Sequence, residues 1–196
     1  VSYRVSMAFN VLDDFDNFLR IETKTFGGKD CIRKWMKWLF TNKNKFSGYT
    51  LYAHNAGKFD LLLVLGEYLL ENDEYWKIDT ESLIVLNGAY LNLIMFHEEE
   101  GETFTIALKD SYRLLPASLD KLCAEFDVEH KKLTGAVDFN EMNITNCYGG
   151  RVDAPNKEVF SSDLFRLELG NVVYCNWDCV GLLEVMNTFK EEVYNN

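Results

Sequence analysis

The sequence predicts an α/β fold, a mixed central sheet flanked by helices, built as one domain over residues 1–196. Three observations carry this. Strand-like runs alternate with stretches of helical periodicity along the chain. The β-rich run Thr50–Ala53 passes through a short loop containing Gly57 straight into the apolar run Leu61–Leu70. With 196 residues, 47% hydrophobic content and only two prolines, the chain has enough apolar mass for one core and no linker or repeat to divide it.

Taken in order, Tyr3–Phe9 and Phe18–Thr25 read as two strands of a hairpin joined by the acidic turn Asp13–Asp16, both expected in the central sheet. Gly27 and Gly28 lead to Asp30, a good N-cap, and Ile32, Trp35, Met36 and Leu39 recur at helical spacing and read as core. The run Asn42–Lys45 is expected to close that helix with positive charge. The strand Thr50–Ala53 and the helix carrying Leu61–Leu70 follow. Leu83–Leu86, Asn87-Gly88 and Ala89–Phe96 form a hairpin signal with a favoured turn dipeptide. Glu98, Glu99, Glu100 and Glu102 around Gly101 read as a solvated loop, Thr103–Leu108 as a strand, and Ser118 as the cap of a helix through Phe126. Between Lys131 and Asn171 repeated glycines predict irregular connection, and from Asn171 a helix returns with Leu182, Val185, Met186 and Phe189 in phase.

Composition narrows the function. A net charge of −11 argues against gripping nucleic acid through a broad basic surface, though not against carboxylates that reach phosphate through divalent cations. The five cysteines are odd in number and form no zinc-type pair, which suits a reducing compartment. No apolar run reaches the ~18 residues of a membrane span, so a soluble chain with no membrane partner is expected. A start at Val1 rather than Met suggests missing upstream sequence.

The chemistry concentrates in three places. His54, Asn55, Phe59 and Asp60 lie at a strand-to-helix junction, where α/β sheets put their sites. Taken alone, Asp60 reads equally well as a helix cap and Asn55 as a turn residue. Asp110-Ser111 follows a strand, where loop chemistry and loop capping look alike. Tyr174 and Asp178 share one helical face at the expected start of the last helix.

The order Asn55-x3-Phe59-Asp60, Asp110-Ser111, Tyr174-x3-Asp178 resembles the proofreading 3′–5′ exonuclease domain of protein-primed family B DNA polymerases of viruses and linear organellar plasmids. YAHNAGKFD looks like that family's second exonuclease motif and YCNWD like its third, while DSYRLLPASLDKL resembles the segment between. The resemblance spans about Tyr3 to Phe189. It implies an RNase-H-like exonuclease fold and removal of 3′-terminal nucleotides by hydrolysis with two Mg²⁺ or Mn²⁺ ions in the complete domain. By resemblance, Asp60 and Asp178 are metal-site acids and catalytic residues, and the Tyr174 hydroxyl orients the attacking water. Asn55 contacts the terminal nucleotide and Phe59 stacks on an unpaired base. Tyr52, His54 and Ser111 are further substrate contacts, with a structural role for His54 equally open, and Lys132 is a candidate for the family's catalytic lysine. The implied partners are the single-stranded 3′ end of DNA and a terminal protein primer, and the implied setting is a mitochondrion or the cytoplasm of a virus-infected cell.

The chain departs from the pattern in four ways. The family's first motif, an Asp-x-Glu supplying two more metal ligands, is absent from its expected place ahead of Tyr3, which truncation explains; Asp79-Thr80-Glu81 and Asp127-Val128-Glu129 come too late to replace it, and Arg20-Ile21-Glu22 has Arg where Asp is needed. Tyr112 stands where Leu is usual. Neither Lys131 nor Lys132 fits the lysine's spacing cleanly. Tyr148-Gly149-Gly150 precedes YCNWD, unlike the element linking exonuclease to polymerase, and no polymerase motif follows Asp178. The expectation is therefore an exonuclease domain of a DNA-directed DNA polymerase, truncated at both ends and nearly inactive alone. The alternatives are a non-catalytic module that guides single-stranded DNA and a stand-alone exoribonuclease of the same superfamily.

Overall fold

The computed structural model describes residues 4–15, 17–28, 30–71, 75–131 and 162–194. The chain forms two compact units, one of Ile32–Ala117 and one of Ser2–Cys31 with Ser118–Asn196.

In the first unit, helices α1 (Cys31–Thr41) and α2 (Lys43–Phe46) precede β3 (Tyr49–Ala53), after β1 (Arg4–Leu12) and β2 (Phe18–Gly27) of the second. Then come α3 (Asp60–Glu71), β4 (Lys77–Leu86), β5 (Ala89–Glu99) and β6 (Glu102–Asp110). These strands make a four-stranded mixed sheet in the order β3-β6-β5-β4, with β3 parallel to β6 and the other pairs antiparallel. The expected mixed α/β architecture is thus present.

Period-2 patterning sets the buried face: Leu93 and Met95 of β5 lie opposite Leu108 and Ile106 of β6, and all four are buried. The helical positions Ile32, Trp35, Met36 and Leu39 are buried as their spacing predicts. Buried Trp76 satisfies its indole N–H on the Met36 carbonyl at 2.9 Å, and Phe40 packs edge-on to Trp76 and to His97. The Asn87-Gly88 hairpin is present, with φ of 51° and 72°, the left-handed pair that a two-residue hairpin turn requires.

The run Asn42–Lys45 begins by closing α1 but brings no positive charge into its last turn. Asn42 turns its side-chain amide back to the Trp38 carbonyl at 2.8 Å, ending the helix, and Lys43–Phe46 wind a separate turn in which Lys43 pairs with Glu99 at 3.1 Å. Among the described residues, β1 and β2 pair only with each other rather than joining the four-stranded sheet. The alternation that marks both as strands says nothing about which ladder they join.

The second unit holds that hairpin together with α4 (Leu119–Glu125) and α5 (Ser162–Tyr194). The Asp13 carboxylate organises the hairpin turn by accepting from the amides of Phe15 and Asn17, and hydrogen bonding, first from the Asn17 side chain, lowers its pKa. Thr25 donates to Asn176 at 2.5 Å, Cys179 to the Ser6 carbonyl at 3.3 Å, and Asn10 and Asn187 pair through their amides, so β1 and β2 lie against α5. Ser118 caps α4 by accepting from the Lys121 amide at 3.3 Å.

The last helix begins at Ser162, not Asn171. Gly170 reads as a break, yet inside a long helix one glycine costs only about 1 kcal/mol. Tyr174 and Asp178 consequently lie well inside α5 instead of at its start. Among the described residues no helix is long and apolar enough to cross a membrane. Lys132 and Tyr148-Gly149-Gly150 lie outside the described residues.

Leu93 has no exposed surface, whereas Leu86 at the hairpin tip is half exposed. Leu93→Ala is expected to cost about 2–5 kcal/mol in chemical denaturation and Leu86→Ser less than about 0.5 kcal/mol.

A candidate carboxylate site at the end of a parallel strand pair

The parallel pairing of β3 with β6 places Ala53 opposite Asp110, so both strands end at the same level and their following loops run side by side. After β3 the chain turns at Asn55, whose φ of 58° and ψ of 31° lie in the left-handed region that Asn tolerates better than most residues. A 3₁₀ turn, Ala56–Lys58, leads to Phe59 and then to Asp60, the first residue of α3. Asp60 is therefore one position inside the helix rather than at the cap before it.

Asp110 fixes this loop. It is 5% exposed, and its carboxylate accepts from the Gly57 amide at 3.0 Å through Oδ2 and from the Tyr112 amide at 3.0 Å through Oδ1. Gly57 is required by space: a Cβ there would run into the Tyr90 carbonyl and stand 3.1 Å from Asp110 Oδ2. With both oxygens engaged by backbone, Asp110 serves as an anchor.

Ser111 is fully buried. His54 reaches Ser111 Oγ through Nδ1 at 3.1 Å and the Ala117 carbonyl through Nε2 at 2.8 Å. A carbonyl only accepts, so Nε2 carries the proton, and in neutral His54 Nδ1 accepts from the Ser111 hydroxyl. Both side chains are thereby spent on joining the loops. Tyr52, half-buried on β3, stands in register with Lys109 of β6.

Phe59 is 60% exposed and Asn55 is exposed, so an aromatic face and an amide project beside Asp60. Asp60 is exposed as a residue, yet desolvation by the surrounding protein pushes its pKa up, its own amide N–H partly offsets this, and the Asp110 charge adds a smaller upward push. A carboxylate whose charge is poorly compensated fits a divalent cation, which supplies the missing positive charge.

Tyr174 and Asp178 belong to the second unit, four residues apart on α5; Asp178 is half-buried, and of Tyr174 only the helical backbone is described. Below them on α5, Glu184 accepts from the His130 amide at 3.0 Å and meets His130 Nδ1 at 2.6 Å. The ligand atoms of Glu129, His130 and Glu184 lie within 4.8 Å of one another, but both Glu184 oxygens are already held by His130, so this group is a closed contact rather than an open metal site. The anchoring role of Asp110 and the His130–Glu184 contact escape sequence reasoning, since a buried carboxylate that takes backbone amides has no spacing of its own.

Together these features define an α/β protein with a candidate acidic site at the C-terminal ends of parallel strands. Residues 41–196 match the family described as DNA polymerase type B, organellar and viral, and the chain belongs to that family. It is 27% identical over 175 residues to a probable DNA polymerase of Ascobolus immersus, covering 78% of this chain and 14% of that protein. A probable DNA polymerase of Agaricus bitorquis is 26% identical, over 91% of this chain and 24% of its own length. The DNA-directed DNA polymerase of enterobacteria phage PRD1 is 28% identical over 110 residues, 56% of this chain and 16% of that one. The chain thus spans a quarter or less of these relatives. In fold it is similar to phi29 DNA polymerase complexed with primer-template DNA, with a TM-score of 0.57, 15% identity, and coverage of 97% of this chain and 31% of that one. The same polymerase complexed with single-stranded DNA gives a TM-score of 0.56 at 14% identity, over 97% of this chain and 32% of that one.

Gly57→Ala is expected to displace the Asp110-held loop and lower the unfolding midpoint by several degrees, as about 1–3 kcal/mol of overpacking does. For Asp60 the folded-state pKa lies above the unfolded one. Its contribution to stability is therefore present below about pH 4 and lost as pH rises through the folded value. Without divalent metal, Asp60→Asn should melt higher than the parent at pH 7, and the gap should close below about pH 4.

Proposed function

We propose that this chain is the 3′–5′ exonuclease, proofreading part of a protein-primed family B DNA polymerase, and that it removes nucleotides from a single-stranded 3′ end. The observation that carries the reading is the strand-end arrangement: Asn55 and Phe59 project into solvent beside Asp60, on a loop held by buried Asp110.

In this reading Phe59 stacks on an unpaired base, which suits single strands because every base offers a π face. Asn55 hydrogen-bonds the terminal nucleotide, with Tyr52 and Lys132 as further contacts. His54 and Ser111, engaged with each other, hold the loops in place. Asp60 and Asp178 are the metal-site acids, and the Tyr174 hydroxyl orients the attacking water. Mg²⁺ or Mn²⁺ held by these acids would supply an activated water and offset charge on the leaving 3′ oxygen. The terminal protein that primes synthesis is the proposed protein partner.

Degradation of a 3′-labelled single-stranded oligonucleotide with Mn²⁺ tests this in the full-length protein. Asp60→Ala and Asp178→Ala are each expected to cut the cleavage rate by at least about 100-fold, with strand binding retained. Unchanged cleavage in either variant removes that acid from the reaction. A folded parent that binds single strands and cleaves none favours the binding-module reading instead.

A further inference from the structure

Three contacts on successive turns of α5 meet the same two residues just beyond α4. Trp177 donates its indole N–H to the Lys131 carbonyl at 2.7 Å, and its ring packs tilted on His130 with centroids 4.7 Å apart. Gly181 lets the His130 carbonyl approach so closely that a Cβ would stand 2.5 Å from its oxygen and 3.3 Å from Cys123 Sγ. Glu184 takes both the amide and Nδ1 of His130, at 3.0 and 2.6 Å. Trp177, Gly181 and Glu184 are spaced i, i+4 and i+7, so they form one stripe of the helix.

Such a stripe works as a key. Sliding α5 by one residue moves it about 1.5 Å along its axis and about 100° around it, and breaks all three contacts together. Asp178 lies in the first of the turns so clamped, between Trp177 and Gly181. Burial of Leu182 and Val185 sets which face of α5 is covered, whereas two contacts on one carboxylate and a carbonyl over a glycine each name a particular partner atom.

We propose that Glu184, His130, Gly181 and Trp177 form a positioning clamp that sets the rotation and height of α5, and with them the metal-binding geometry of Asp178. The proposal rests on the reading of Asp178 as a metal-site acid. In this proposal the four residues act through the helix that carries the acid, as outer partners of metal ligands do.

The test is a Mn²⁺ titration of the full-length protein, read both as oligonucleotide cleavage and, without oligonucleotide, as Mn²⁺ binding by the electron paramagnetic resonance of the free ion, comparing the parent with Asp178→Ala, Gly181→Ala, Glu184→Ala and Glu184→Gln. Asp178→Ala abolishes cleavage. Gly181→Ala and Glu184→Ala each raise the Mn²⁺ concentration for half-maximal rate about tenfold, leave KM for the oligonucleotide unchanged, and regain rate in excess Mn²⁺. Glu184→Gln, which keeps an acceptor for the His130 amide, restores part of the affinity. If Asp178→Ala is inactive while both alanine variants keep the parent's Mn²⁺ dependence, the clamp proposal is overturned and the functional reading stands. If Asp178→Ala cleaves normally, or the parent does not cleave, both fall. Should Gly181→Ala fail to fold, the two Glu184 variants decide the matter.

Discussion

A carboxylate buried at the end of β6 dictates the arrangement of the loop that carries Asp60. Asp110 cannot hydrate its charge, and an unpaired buried charge is costly. Its two oxygens are therefore tied to the amides of Gly57 and Tyr112, one on the loop after β3 and the other on its own strand's continuation. This single group makes two segments more than fifty residues apart in sequence answer to one position. It also accounts for the glycine at 57, because the amide can reach Asp110 only where no Cβ meets the Tyr90 carbonyl. Phe59, which Asp110 does not hold, is left facing water.

Much of the fold was legible because periodicity reports burial directly. Ile32, Trp35, Met36 and Leu39 are spaced for one helical face and are buried on it, and Asn87-Gly88 names its turn by the φ angles it allows. The strand-to-helix junction at Asp60 was legible for the same reason, since the period changes there. Assembly was less so. The hairpin of β1 and β2 carries the alternation of any half-buried strand, and alternation fixes a face, not a neighbour. Helix length was misread at Gly170 because propensity is a weak local term that the rest of a long helix overrides.

In the candidate site, residue types that project into water were read from motif, whereas residues that hold the site from below were not. Ser111, named by resemblance as a further substrate contact, is buried, with its hydroxyl meeting His54. Motif similarity reports which side chains recur at a site but not which way each one points. Hydrogen-bond roles follow only once the partners are known: Ala117, sixty-three residues from His54, fixes the His54 tautomer, and nothing in the sequence near His54 points to it.

The two units solve the same problem in the same way. In each, a carboxylate accepts the backbone amide of a segment distant in sequence, Asp110 from Gly57 and Glu184 from His130. In each, a glycine stands where a carbonyl comes too near for any side chain, Gly57 under Tyr90 and Gly181 under His130. Asp60 lies three residues after the first glycine and Asp178 three before the second. Three residues is about one helical turn or one tight loop, short enough that fixing the glycine fixes the acid. For a chain of net charge −11 this rigidity matters. Tying Asp110 and Glu184 to backbone amides spends no Lys or Arg, of which a chain with 31 acidic and 20 basic residues has few.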